Sequence, residues 1–155
     1  GEGLFGDAAP GFVQMPNQTL RDILMQSIRQ SAKAIELYNN LLKQASDEFN
    51  ISLLNNILAS EIRTMDRLKT EYQQNFGPVP SYAVEPADTA FSSFIEGLLL
   101  AFTNNNQSIN FEREVLDRMQ AQGIGFQLYM YLLINDMAQQ NLLNTLYTYN
   151  LYQTK

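Results

Sequence analysis

Apolar residues recur three and four positions apart along four long stretches of the chain. That spacing places them on one face of an α-helix and predicts four amphipathic helices. We expect the helices to span about 19–45, 51–76, 89–121 and 124–151. No stretch alternates with the period of two that a half-buried strand requires, so the pattern predicts an all-α chain. The polar run at 104–106 leaves open a loop that would split the third helix.

Residues suited to capping stand before three of the predicted helices. Asn17 or Thr19 can cap the first, Asn50 the second, and Asp88 or Thr89 the third, because their side chains accept hydrogen bonds from exposed backbone N–H groups. Gly77 followed by Pro78 ends the second helix, and Gly123 and Gly125 separate the last two. These signals set the helix limits given above.

The segment between the second and third helices is long and carries Pro78, Pro80 and Pro86. At ~3.3 Å per residue, residues 77–87 reach about 36 Å, nearly the ~39 Å length of the second predicted helix. An antiparallel hairpin would need only a few residues. We therefore expect a crossover along the bundle, so that helices two and three run parallel. The fold class predicted is a four-helix bundle of two helical hairpins joined by a long crossover.

The chain of 155 residues is long enough to bury one sizeable core. We expect residues 18–152 to form a single bundle domain. Residues 1–17 contain four Gly and two Pro and are expected to form a flexible N-terminal arm.

Four polar residues interrupt the apolar faces, one near the middle of each helix: Ser31, Glu61, Asn105 and Asp136. A buried carboxylate is costly unless it is paired, hydrogen-bonded, protonated or bound to a metal. These four residues are therefore the candidate site. Glu112 also lies on the apolar face of the third helix.

Composition removes several classes of function. The net charge is −6 and no run of Lys or Arg occurs, which argues against a nucleic-acid partner. The longest nearly unbroken apolar run, 97–102, is far too short for membrane insertion. The chain has no Cys and no His, so it lacks thiolate ligands and the commonest general base and metal ligand. Asn and Gln, 29 together, outnumber the 26 charged residues, so much of the surface polarity is neutral.

The layout resembles the ferritin-like superfamily, and in size the rubrerythrin-type small bacterial bundles. Those proteins hold two metal ions with one Glu from each of two helices and a Glu-x-x-His pair from each of the others. The resemblance assigns these six ligand positions to Ser31, Glu61, Thr64, Asn105, Asp136 and Gln139. Glu61 alone keeps the family residue and Asp136 keeps the charge. The resemblance thus implies a degenerate ferritin-like bundle that has lost its di-iron site.

Two interpretations of the polar residues remain open. Glu61, Asp136, Asn105 and Ser31 can form an oxygen-only site for a hard divalent cation such as Ca²⁺, Mg²⁺ or Mn²⁺. Alternatively they form a buried hydrogen-bond network without metal. We expect no catalytic residue, no cofactor and no di-iron centre.

The resulting functional expectation is a binding, assembly or structural protein, comparable to small spore-coat bundles. The alternative is a metal-binding oxidoreductase or metal-storage protein with an altered oxygen-ligand site. We expect a homo-oligomer, specifically a dimer, with Tyr149 and Tyr152 as candidate interface residues. The expected location is cytoplasmic, with the spore coat or the cell surface as alternatives.

Overall fold

A computed structural model describes residues 19–119 and 123–153. Within them the chain forms four long α-helices, which confirms the predicted all-α four-helix bundle. The helices are α1 (Leu20–Gln44), α2 (Glu48–Phe76), α3 (Phe94–Asp117) and α4 (Ile124–Gln153). The predicted arm, 1–17, lies outside the described residues. None of the described helices combines the length and the apolarity needed to cross a membrane.

Contacts between helices establish the predicted topology. Asn50 pairs with Asn150 near one end of α2, and Thr64 contacts Asn135 farther along, so α2 and α4 are antiparallel. Residue Leu98 packs in one cluster with Leu143 of α4, whereas the other end of α3 packs with the start of α4, so this pair is antiparallel too. Helices α2 and α3 are therefore parallel, as the long crossover predicts.

Two hydrophobic clusters fill the bundle, one toward each end. Both clusters draw residues from all four helices, because each helix presents a buried face to its neighbours. Between them lies a polar layer at about mid-height. The buried polar residues of this layer are Ser31, Glu61, Thr64, Asn105, Glu112, Asp136 and Gln139. The sequence prediction that each apolar face is interrupted near its middle corresponds to this layer.

The first helix begins as expected and the second begins earlier. The Thr19 side chain accepts from the backbone N–H of Asp22, and the Asp22 carboxylate accepts from the N–H of Thr19. The predicted cap of α2, Asn50, is wrong. Asp47 caps this helix by accepting from the N–H of Phe49, while Asn50 is buried against α4.

The third helix begins later than predicted. Ser93 is the cap and accepts from the N–H of Glu96. The predicted caps Asp88 and Thr89 belong instead to a short 3₁₀ helix, Pro86–Thr89. Thr89 is held there because the Asn40 amide donates to its hydroxyl and carbonyl oxygens. The polar run at 104–106 continues the helix without a break, and α3 ends at Asp117 rather than near 121.

The buried face of each helix is wider than a single row of residues. Ile57 is fully buried with Leu58 half-buried beside it, and Leu132 and Gln139 are buried with Leu133 and Gln140 half-buried beside them. A helix in a bundle packs against two neighbours, so residues on both sides of a stripe are buried.

Candidate functional site

All four predicted site residues line one cavity in the polar layer. Ser31, Glu61, Asn105 and Asp136 meet there, and Glu112 joins them. The cavity volume is about 30 Å³, which accommodates a water molecule or a small cation. Much of its wall comes from α1 and α3, whose small and polar side chains leave space between these helices.

Glu61 is buried on α2 and held by neutral donors. The Ser31 hydroxyl donates to its Oε2 at 2.6 Å, and the Gln139 amide also bonds its carboxyl group. Burial, followed by the negative charge of Asp136, raises the pKa of Glu61 to about 8. The bonds from Ser31 and Gln139 oppose this rise only in part. Glu61 therefore retains its proton in most molecules at neutral pH.

Glu112 and Asp136 form a second acidic pair in the same cavity. Burial is the main cause of the raised pKa of Glu112, and its hydrogen bond to Asp136 adds to it. Burial also raises the pKa of Asp136, whereas the bond from Glu112 lowers it. Two buried carboxyl groups joined by a hydrogen bond need a proton between them, so Glu112 and Asp136 share one proton as a pair.

One oxygen of Glu112 is left without a partner. Its Oε1 is buried and makes no hydrogen bond to any described residue, and the same holds for Nδ2 of Asn104. Both residues line the cavity. The partnership of Glu112 with Asp136 is absent from the sequence prediction, although Glu112 lies seven residues after Asn105 on the same helical face. That spacing identifies Glu112 as a member of the site, but it does not identify its partner.

Asn105 joins α3 to α4 and does not contact the carboxyl groups through its amino group. Its Nδ2 donates to the backbone carbonyl oxygen of Asp136 and to Oε1 of Gln140, both at 2.8 Å. The residue is thus committed to helix pairing. Asn105 lines the cavity, as predicted, but the N–H groups of its amide donate to α4 and not to the carboxyl groups.

The two positions where the resemblance requires histidine are buried and engaged by neutral partners. Thr64 accepts from the Asn135 amide at 3.3 Å. Gln139 accepts from the Tyr38 hydroxyl at 3.2 Å. The pKa of Tyr38 is raised well above its usual value, first by burial and then by the charges of Glu61 and Asp136, so its hydroxyl remains a donor.

The described lining of the cavity contains no Lys or Arg. Among residues 19–119 and 123–153, no three Asp, Glu, His or Cys side chains are grouped so as to hold a metal ion. The donor set is hydroxyl, amide and carboxyl oxygen, with no imidazole. These residues do not fit a di-iron centre, which the resemblance would supply with four carboxylates and two imidazoles.

No family model matches the chain, and no curated protein matches it in sequence. Among solved structures, the fold is similar to "CopM in the Cu(II)-bound form", with a TM-score of 0.66 and 16% sequence identity. The match covers 83% of this chain and 95% of that one. At this identity the similarity shows a common fold and nothing about function.

Proposed function

We propose that this protein is a non-catalytic bundle that acts by binding or assembly, and that its polar layer is neutralised by protons rather than metal ions. One observation carries the proposal: the carboxyl groups of Glu112 and Asp136 are joined by a hydrogen bond in a cavity whose described lining holds no Lys or Arg. Three carboxyl groups confined together cannot all ionise, and retained protons remove most of their charge without a metal.

The degenerate ferritin-like origin is part of this proposal. The six positions that the resemblance assigns to metal ligands all lie in the polar layer, and each is buried. The Ser31 hydroxyl and the Gln139 amide supply Glu61 with hydrogen bonds that satisfy its carboxyl group without a metal ion. An inherited polar core whose ligands were replaced by amides and hydroxyls accounts for both features.

Binding of a hard cation is the second candidate function, and the unpartnered Oε1 of Glu112 is the observation that favours it. Mg²⁺, Ca²⁺ and Mn²⁺ accept carboxyl and amide oxygen ligands of the kind found around this cavity. CopM is similar in fold and binds Cu(II), but we do not propose copper binding for this chain. Cu²⁺ favours imidazole ligands, and the chain has no His.

Thermal unfolding of the purified protein separates the two candidates. We expect EDTA, and then Mg²⁺, Ca²⁺ or Mn²⁺, to leave the unfolding temperature of the wild type unchanged. A bound ion at a hundred times its dissociation constant would add about 2.7 kcal/mol to the stability. The proposal is wrong if chelation destabilises the wild type but has no effect on Glu61→Gln. Glu71→Gln, on the same helix but outside the cavity, is the matched control.

A further inference from the structure

The two hairpins differ in charge. Helix α1 contains six Asp, Glu, Lys or Arg residues and α2 contains seven. Helix α4 contains one, Asp136, and that residue is buried in the cavity. The central part of α3, residues 97–111, contains none. The solvent-facing side of α4 is thus uncharged along its whole length, although the protein carries a net charge of −6.

This uncharged side of α4 also exposes apolar side chains. Ile134 is 61% exposed and Met137 is 43% exposed. Ala138, Asn141 and Thr145 lie four, seven and eleven residues after Ile134, so all five residues share one outward face of the helix. Leu99, 47% exposed, adds a further apolar side chain on the other helix of the same hairpin. We refer to the exposed side of α4 together with residues 97–111 of α3 as the neutral face.

We propose that the neutral face is where two copies of this chain associate about a two-fold axis. Its composition is what the centre of a protein interface requires, since charged residues are depleted there. Two molecules that each carry −6 repel one another, and the repulsion is smallest where the facing helices hold no charge.

The chemistry of the neutral face favours a second copy over a different partner. In a two-fold interface the same surface meets itself, so each group must be complementary to its own kind. An Asn side chain such as Asn141 meets this condition because it is both donor and acceptor. A surface built for an oppositely charged partner would display charges, and this one displays none.

The size of the neutral face is sufficient for a stable dimer. Helix α4, with 30 residues, is about 45 Å long, residues 97–111 of α3 span about 22 Å, and each helix is roughly 10 Å wide. The neutral face therefore offers roughly 700 Å², within the roughly 600–1,000 Å² that each partner of a stable interface uses. Helix α4 alone would offer about 450 Å², which is why α3 is included.

The inference rests on the proposed assembly function and is tested by solution mass. Light scattering coupled to size exclusion should give 35.2 kDa for the wild type, twice the chain mass of 17.6 kDa. Ile134→Glu and Met137→Glu should each weaken the dimer about a hundredfold, since the symmetry places every new charge in the interface twice. Asn141→Glu should act in the same direction at a site whose side chain is already polar and exposed.

Ile62→Glu is the matched control. Ile62 is 44% exposed, like Met137, but lies on the charged hairpin, and its replacement should leave the dimer intact. Circular dichroism of every variant verifies that the helices are retained. A wild type that is monomeric at all concentrations, or that associates only with another protein, overturns the proposal, and so does dissociation caused by Ile62→Glu. A dimer whose stability depends on chelator would instead refute the proton-neutralised core and leave the neutral face standing.

Discussion

Burial of Glu61 makes the free energy of unfolding depend on pH. Its pKa is 4.5 in an ordinary environment and about 8 in the folded protein, so between these values the folded state binds more protons than the unfolded state. The stability that Glu61 contributes is therefore fully present below about pH 4.5 and is lost as the pH rises through about 8. At 1.36 kcal/mol per unit, the full loss is about 4–5 kcal/mol.

Glu61→Gln should remove this dependence while preserving side-chain shape. We expect the variant and the wild type to have similar free energies of unfolding near pH 4. At pH 9 the variant should be more stable by about 2–4 kcal/mol, because the wild type must then hold an ionised carboxylate in the core. Urea unfolding followed by circular dichroism across this range is the measurement. Equal pH slopes for Glu61→Gln, wild type and the control Glu71→Gln would contradict the assignment.

At the level of single residues, sequence identifies the members of the site better than their partners. Glu61 and Asp136 are predictable because each interrupts an apolar face where a polar group is costly. That Glu112 shares its proton with Asp136 is not predictable. The contact depends on the axial offset between α3 and α4, and helical periodicity gives the face of a residue but not its height relative to another helix.

The close approach of α1 and α3 depends on Gly97. A Cβ atom at this position would lie 2.7 Å from Cδ2 of Leu41 and 2.9 Å from the ring of Phe91. We expect Gly97→Ala to destabilise the protein by about 1–3 kcal/mol through overpacking, although Ala is the better helix former by about 1 kcal/mol. Urea unfolding measures the change.

Asn110→Ala on the same helix is the matched control, since Asn110 is exposed and only helix propensity changes there. This variant should be slightly more stable than the wild type, by about 0.5 kcal/mol. A stabilised Gly97→Ala would show that α1 and α3 separate at little cost and that the glycine is not required for their packing.

At the level of helices, the centres are predictable and the starts are not. Asp47 and Asn50 are equally good caps in sequence, as are Ser93 and Thr89. The choice is made by tertiary contacts. Asn50 exchanges two amide hydrogen bonds with Asn150, at 3.0 and 2.8 Å, and is thereby placed inside α2 instead of at its end. A pairing between residues 100 positions apart leaves no local signal.

At the level of the whole molecule, the topology was predictable because the length and prolines of 77–87 favour a crossover. The neutral face was not predicted as a surface. Low charge, abundant amides and the uneven charge of the predicted helices are visible in the sequence, but only the fold shows which side of α4 and α3 faces outward and that the two outward sides lie on one hairpin. Surface asymmetry is a property of the assembled bundle.

The neutral face makes a specific prediction about salt. Each copy carries −6, and the charges that surround the contact repel across it, whereas the contact itself holds no ion pair to be screened. Raising the ionic strength shortens the screening length, about 10 Å at 0.1 M, and so reduces the repulsion. We therefore expect the dissociation constant of the wild-type dimer to fall a few-fold between low and high NaCl in sedimentation equilibrium. Association through the α1–α2 hairpin would bring opposite charges together and would weaken with salt. A dissociation constant that rises with NaCl thus places the interface on the charged hairpin and excludes the neutral face.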